Sequence, residues 1–261
     1  MTSAAGATLP EPAHAWTSSQ LADPHAHPDK PAKVRHMFAA IAPSYDLNNR
    51  LHSFGRDQAW RRRAVRAADV QPGDAVVDVA CGTGDLTALF GATAAATVRG
   101  IDFTPEMLAL AREKLAHLPD AVRAKITYSE GDAQSLNLPT ASADVVSIAF
   151  GIRNVASPAR AVAEFARILR PRGRLVILEF DRPRFAPFRW ASDLYCRWLM
   201  PRTATLISRD RSGAYRYLPK SVGLFMPRAA LCDLLRSTGF RDITAAPLSL
   251  GICTCYRAVR A

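Results

Sequence analysis

The sequence predicts an α/β protein built on a mostly parallel β-sheet with helices on both faces. Three observations carry that expectation. Short apolar, β-branched runs alternate with helix-period segments of about ten residues, the rhythm of βα units. A glycine-rich turn follows the first of these runs and opens a helix. The 261-residue chain is 49% hydrophobic, enough for a sizeable core. No apolar run approaches the ~18–20 residues of a membrane-spanning helix.

Residues 1 to about 30 are rich in Ala, Pro, His, Ser and Thr and lack the basic and apolar regions of a secretory signal. They read as a disordered tail ahead of one domain over 31–261. The scattered histidines of the tail, His14, His25 and His27, are not read as a metal site. Val34, Met37, Phe38 and Ile41 then recur at helical spacing. Pro43 interrupts, and Tyr45 to Asn49 reads as a polar turn. A second helix is expected from Asp57 through Trp60 to about Ala68. It carries Arg61, Arg62, Arg63 and Arg66, which read as a solvated face.

After the turn Gln71 to Asp74, the run Ala75–Ala80 predicts a buried strand. A helix over Asp85–Phe90 and a strand over Val98–Asp102 follow. Next comes a helix over Pro105–Ala116, with Thr104 as N-cap. Strands are expected at Ile126–Tyr128, Ala143–Ala149 and Gly173–Phe180, with an amphipathic helix at Ala159–Leu169. Over 182–225 the alternation stops. Prolines, arginines and aromatics there predict a helical insertion or lid. A helix at Arg228–Ser237 and two antiparallel edge strands, Asp242–Ala245 and Gly251–Val259, close the chain.

Lys and Arg total 34 against 23 Asp and Glu, a net charge of +11. Such a balance suits an anionic partner, nucleic acid or a membrane surface, and equally a generally arginine-rich composition. Five cysteines in no regular framework predict reduced thiols and a cytosolic protein. The lone pair Cys253 and Cys255 lacks a second ligand pair for zinc, so no metal is expected.

The most informative segment is Asp78-Val-Ala-Cys-Gly-Thr-Gly-Asp85. Glycines at such a turn admit a ligand where a Cβ would clash. Asp102 ends the next strand 18 residues beyond Gly84, a spacing that suits ribose hydroxyls. A dinucleotide needs a third small residue and an uncharged helix start. Here Thr87 and Asp85 stand in those places. Asp85 would repel a pyrophosphate but not S-adenosylmethionine, whose sulfonium and amino groups are cationic. Asp132 follows the next strand, where a carboxylate can meet the adenine amino group. Ligands in open α/β sheets sit beyond the carboxyl ends of the strands, which gathers Gly82, Asp102, Asp132 and Arg153 at one crevice.

At these residues the sequence resembles class I methyltransferases, and among them the C-methyltransferases of quinone biosynthesis, the demethylmenaquinone and polyprenyl-benzoquinol family. The resemblance spans about 33–258. It rests on Phe38 to Asp46 with Ser53-Phe-Gly55 and Trp60, on Phe150-Gly-Ile-Arg-Asn-Val155, on Arg167 to Pro171 with Gly173 to Phe180, and on Ala214 to Ser221. Asn48, His52 and Asp57 stand where the family usually has Met, an aliphatic residue and His. Arg172 replaces a usual glycine, Asp181 stands where Ser is frequent, and Ala149 precludes a serine contact used by some relatives.

The resemblance implies a seven-stranded Rossmann-like sheet, S-adenosylmethionine as cofactor and a polyprenyl hydroquinone as acceptor. It implies that Thr83 meets the methionine part, Asp102 the ribose, and Asp132 and Ala133 the adenine. Asp78, Gly82, Gly84 and Phe103 complete the cofactor set. Ring carbon methylation requires a phenolate-like acceptor. Arg153 is assigned to stabilising it, directly or through water, with a salt bridge to Asp102 or Asp132 as the structural alternative. Arginine is no practical base, so a water, Tyr45 or Asp46 handles the proton. Asn154 would hold the other ring oxygen, and Tyr215 and Tyr217 would contact the ring or pack. A bilayer-resident acceptor implies peripheral contact with the inner face of the cytoplasmic membrane through 182–202. Alternatives are a benzoquinol or another aromatic or lipid acceptor, and a basic RNA-directed role. The last lacks an Asn/Asp-Pro-Pro-Tyr motif or an RNA-binding module, so no nucleic acid is expected. Monomer and dimer both remain open.

Overall fold

A computed structural model describes residues 16, 17, 19–25, 27–208, 210 and 212–261. The strands are β1 (Ala75–Val79), β2 (Thr97–Asp102), β3 (Ile126–Glu130), β4 (Ala143–Ala149), β5 (Leu169–Phe180), β6 (Phe240–Leu248) and β7 (Cys253–Arg260). They form one seven-stranded sheet in the order β3-β2-β1-β4-β5-β7-β6. All pairs are parallel except those of β7, which runs antiparallel to both β5 and β6. The expected fold and the two antiparallel edge strands are present.

Strand alternation builds a core on each face. Leu175 and Ile177 of β5 face one side, with Val146 and Ile148 of β4. There they meet Phe165 of α7 (Pro158–Ile168) and Leu231 and Leu235 of α11 (Arg228–Ser237). Val176, Leu178 and Val145 face the other side. They meet Trp60 and Ala64 of α3 (Arg56–Ala68), and Leu86 and Phe90 of α4 (Asp85–Gly91). Helix α5 (Pro105–Ala116) begins at Thr104, but the threonine hydroxyl makes no cap bond and is buried without a partner. Arg172 adopts φ +65°, a left-handed backbone that favours the usual glycine.

Over the carboxyl ends of β1, β2 and β4 lies a helical roof. It comprises α1 (Lys30–Ile41), α2 (Tyr45–His52), the helices α8 (Ala186–Leu194) and α9 (Met200–Ser208) joined by a π-helical turn at Tyr195–Leu199, and α10 (Ala214–Leu224). The helical insertion expected over 182–225 is therefore present. Two local expectations are corrected. Tyr45 to Asn49 is not a turn but the start of α2, because Pro43 sits in a 3-10 turn that leads straight into the helix. Arg61 is not solvated. It is buried, bonded to Asp57 at 2.6 Å, with its guanidinium 5.7 Å from the Phe150 ring centroid.

The stretch read as a disordered tail is packed from Trp16 onward. Trp16 is fully buried and stacks on Tyr217 with centroids 4.7 Å apart. Its backbone N–H donates to Ser212 O at 3.1 Å. Polar composition hid this strap, since one tryptophan and Leu21 supply its anchoring surface. His25 is tied to Ser221 O at 2.8 Å and to Lys30 Nζ. His14 lies outside the described residues. Among the described residues, no helix is long and apolar enough to cross a membrane.

Candidate active site

Strand order reverses at β1, which lies between β2 and β4, and a cleft opens there as the topology requires. It opens to solvent, and its free space, open solvent included, is about 740 Å³. The carboxyl ends of the strands supply Ala80, Gly82, Asp102, Phe103 and Phe150, and the following loops supply Asp132, Ala133 and Asn154. The roof supplies Pro31, Phe38 and Tyr45. Ala80 and Phe150 both hold positive φ, +52° and +57°, a strain that concentrates at ligand sites.

Asp102 is buried and organises the glycine turn. One oxygen accepts the Gly82 N–H at 2.8 Å, the other the Thr104 N–H at 2.9 Å. Burial pushes its carboxyl above the ordinary range. Asp132, exposed, also lines the cleft and accepts from the Gln134 N–H at 2.9 Å. Among the described residues, no lysine or arginine lines the cleft. Two carboxylates without a basic counterpart suit a cationic ligand and disfavour a pyrophosphate. The same preference was expected from Asp85, but Asp85 is neutralised. It pairs with Lys114 and Arg50, and Gln58 donates to it at 3.0 Å.

The structure thus brings Tyr45, Gly82, Asp102, Phe103, Asp132, Ala133 and Asn154 together at the cleft, and leaves the remaining sequence-predicted residues off it. Asp78 points into the core beneath the turn. Ser147 Oγ donates to it at 2.7 Å and Thr87 Oγ1 at 2.6 Å. Gly84 faces Tyr128, whose hydroxyl occupies the space of its missing Cβ, so this glycine serves packing. Thr83 donates to Asp46 at 2.6 Å.

Arg153 is the largest departure. Its guanidinium is buried and pairs with neither Asp102 nor Asp132. Nη1 reaches Glu179 at 2.5 Å and Phe150 O at 2.7 Å. Glu179 is the residue that sequence reasoning passed over. Its signal was an acid near the end of an otherwise apolar strand, Leu175–Phe180, which calls for a buried cationic partner.

Asn154 does reach the cleft. One amide hydrogen goes to Phe150 O at 3.2 Å, and its oxygen accepts the Tyr217 hydroxyl at 3.0 Å. Burial pushes that hydroxyl up to about 12, so it stays a donor. Tyr215 and Tyr217 both pack within the roof and do not line the cleft. Burial likewise raises Tyr45, which keeps its proton at neutral pH. Asp46 is held by Lys114 at 2.7 Å as well as by Thr83. Asn48, His52 and Asp57 do not line the cleft either. His52 links α2 to α9 through Thr203 at 2.8 Å, and Asp57 holds Arg61.

A family model described as the ubiE/COQ5 methyltransferase family matches residues 27–260. The chain belongs to that family. Within it, the chain is 44% identical over 225 residues to the demethylmenaquinone methyltransferase of Deinococcus radiodurans, covering 86% of this chain and 91% of that one. It is 40% identical over 230 residues to the ubiquinone/menaquinone biosynthesis C-methyltransferase UbiE of Geobacter sulfurreducens, covering 87% and 88%. A Thermotoga maritima S-adenosylmethionine-dependent methyltransferase has the same fold, with a TM-score of 0.60 at 20% identity over 87% of this chain and 99% of that one. This ubiE/COQ5 family member is an S-adenosylmethionine-dependent methyltransferase. The acid-lined cleft fits the cationic groups of that cofactor, and Asp102, Gly82, Phe103, Asp132 and Ala133 line it.

The buried Asp78 gives a pH test. Burial raises its carboxyl to about 6, against an ordinary value near 4. The folded protein therefore keeps this proton through a range where the unfolded chain has lost it. The penalty is absent below pH ~4, grows between ~4 and ~6, and is complete above. Asp78→Asn is expected to remove this downward slope and to leave stability at pH 7.5 unchanged or higher by about 1–3 kcal/mol. Urea melts across pH, compared with the parent, read the difference.

Proposed function

We propose that the enzyme transfers the methyl group of S-adenosylmethionine to a ring carbon of a polyprenyl hydroquinone, with demethylmenaquinol as acceptor. The observation that carries this reading is one cleft with two unlike kinds of lining. Asp102 and Asp132 supply carboxylates to it, and Phe38, Tyr45 and Phe150 supply aromatic side chains. The 44% identity to a relative named demethylmenaquinone methyltransferase selects the naphthoquinol.

S-adenosylmethionine, when bound, supplies the electrophilic methyl group. The protein has to favour charge on the ring, align the carbon and exclude water. In this reading protonated Tyr45 donates to an acceptor oxygen and draws it toward phenolate, while the second amide hydrogen of Asn154 serves the other oxygen. Arg153 acts as a positioning residue. Through Phe150 O it holds the loop that carries Asn154. With Tyr45 protonated and Asp46 held by Lys114, the ring proton leaves to water. The enzyme is assigned to the cytoplasm, with peripheral contact at the inner face of the membrane where such an acceptor resides.

The test offers purified enzyme and methyl-labelled cofactor to reduced demethylmenaquinone and to reduced demethylated benzoquinol in detergent. Label in the naphthoquinol alone is expected. Label only in the benzoquinol, or in neither while the cofactor binds, overturns the assignment.

A further inference from the structure

We propose that the helix running without a break from Ala186 to Ser208, with the adjoining side of α2, is a docking surface for an anionic lipid bilayer. Trp190, Leu194 and Trp198 recur at four-residue spacing along it, with Trp190 and Trp198 70% and 63% exposed. Leu199 and Leu206 continue the stripe, and Leu206 is 79% exposed. Large apolar side chains in such a row mark an interaction surface.

Charge selects the partner. Residues 182–208 contain five arginines and a single acid, Asp193. Arg202 lies 4.4 Å over the Trp198 ring, so cation and aromatic share one patch. Arginine beside exposed tryptophan suits the headgroup zone, where the ring sits at the interface and the guanidinium meets lipid phosphate. A second copy docking through the same face would bring two sets of arginines together, which opposes a symmetric dimer there.

The surface is continuous with the roof of the cleft. Leu47 and Leu51 of α2, with Phe54 just after it, are exposed along one side. Phe54 lies 5.9 Å from the Tyr195 ring, and His52 bonds Thr203. The first residue of α2, Tyr45, lines the cleft. Docking would therefore set the cleft roof against the bilayer. That use, delivery of a bilayer-held acceptor, rests on the function proposed above, whereas docking itself does not.

Fluorescence tests the docking directly, because Trp16 and Trp60 are buried and only Trp190 and Trp198 can respond. With phosphatidylglycerol-containing vesicles, a blue shift and co-sedimentation are expected, falling at high salt and with phosphatidylcholine alone. Trp190→Glu with Trp198→Glu, checked for fold by circular dichroism, should weaken co-sedimentation by about tenfold or more. Leu206→Ser, a milder change, should weaken it severalfold. Both should keep activity on a short-chain, water-soluble demethylated quinol. Absence of vesicle binding by the parent overturns the proposal. So does equal binding by the variants, or a concentration-dependent dimer that the double variant abolishes. Vesicle binding without activity on any quinol would sink the proposed acceptor and leave docking standing.

Discussion

Asp102→Ala is expected to weaken binding of S-adenosylmethionine or S-adenosylhomocysteine by roughly two orders of magnitude. The carboxylate has two tasks. It accepts the backbone N–H groups of Gly82 and Thr104, at 2.8 and 2.9 Å, which shapes the turn. It also faces the cleft from the end of β2, where ribose hydroxyls would donate to it. Hydrogen bonds to a charged group contribute ~1.5–3 kcal/mol each, so losing the set costs about 3 kcal/mol of binding. Asp102→Asn should fail nearly as badly, since its NH2 would face a backbone N–H. Isothermal titration calorimetry decides. An affinity within threefold of the parent would show that the ribose is held elsewhere.

The second large effect concerns stability. Glu179→Ala is expected to destabilise the fold by about 3–5 kcal/mol, because it strands the buried Arg153 guanidinium. Both side chains are almost wholly inaccessible, at 5% and 2% exposure. Arg153 Nε already lacks a partner, and the Phe150 carbonyl, its other acceptor, carries no charge to offset the guanidinium. Arg153→Met with Glu179→Leu should recover most of the loss, since it removes both charges together. Urea denaturation of Arg153→Met, Glu179→Leu and the double variant measures this coupling. If the singles and the double lose equally, packing rather than charge dominates the pair.

The sheet and its helices were legible because periodicity and turn residues act locally. Ala143–Ala149 and Arg228–Ser237 appear with the boundaries that their patterns predict. Gly82 and Asp102 were legible for a similar reason, since a strand end and a fixed spacing place them. What the sequence concealed were pairings across long separations. Nothing near Arg153 announces Glu179, and nothing near Asp85 announces Lys114. A charge reads as solvated until its partner is known, which is why Arg61 was assigned to solvent and Asp85 to repulsion. Trp16 was hidden because burial of one aromatic does not alter the composition of its neighbourhood.

The roof of the cleft also sets an order of assembly. Trp16 and His25 bond to Ser212 and Ser221, so the earliest described residues close on a segment 196 positions further along. During synthesis, β1 to β4 can pair as they emerge, and Lys30 and Asp46 can already find Arg153 O and Lys114, but the roof over α1 and α2 is not complete until α9 and α10 have left the ribosome. Strand β5 likewise waits for β7 to cover its edge. A nascent chain could therefore present the cofactor loops well before it can enclose an acceptor. A chain truncated before residue 212 would lack Ser212, Tyr217 and Ser221, the partners that Trp16 and His25 close on, and would leave that apolar seam exposed.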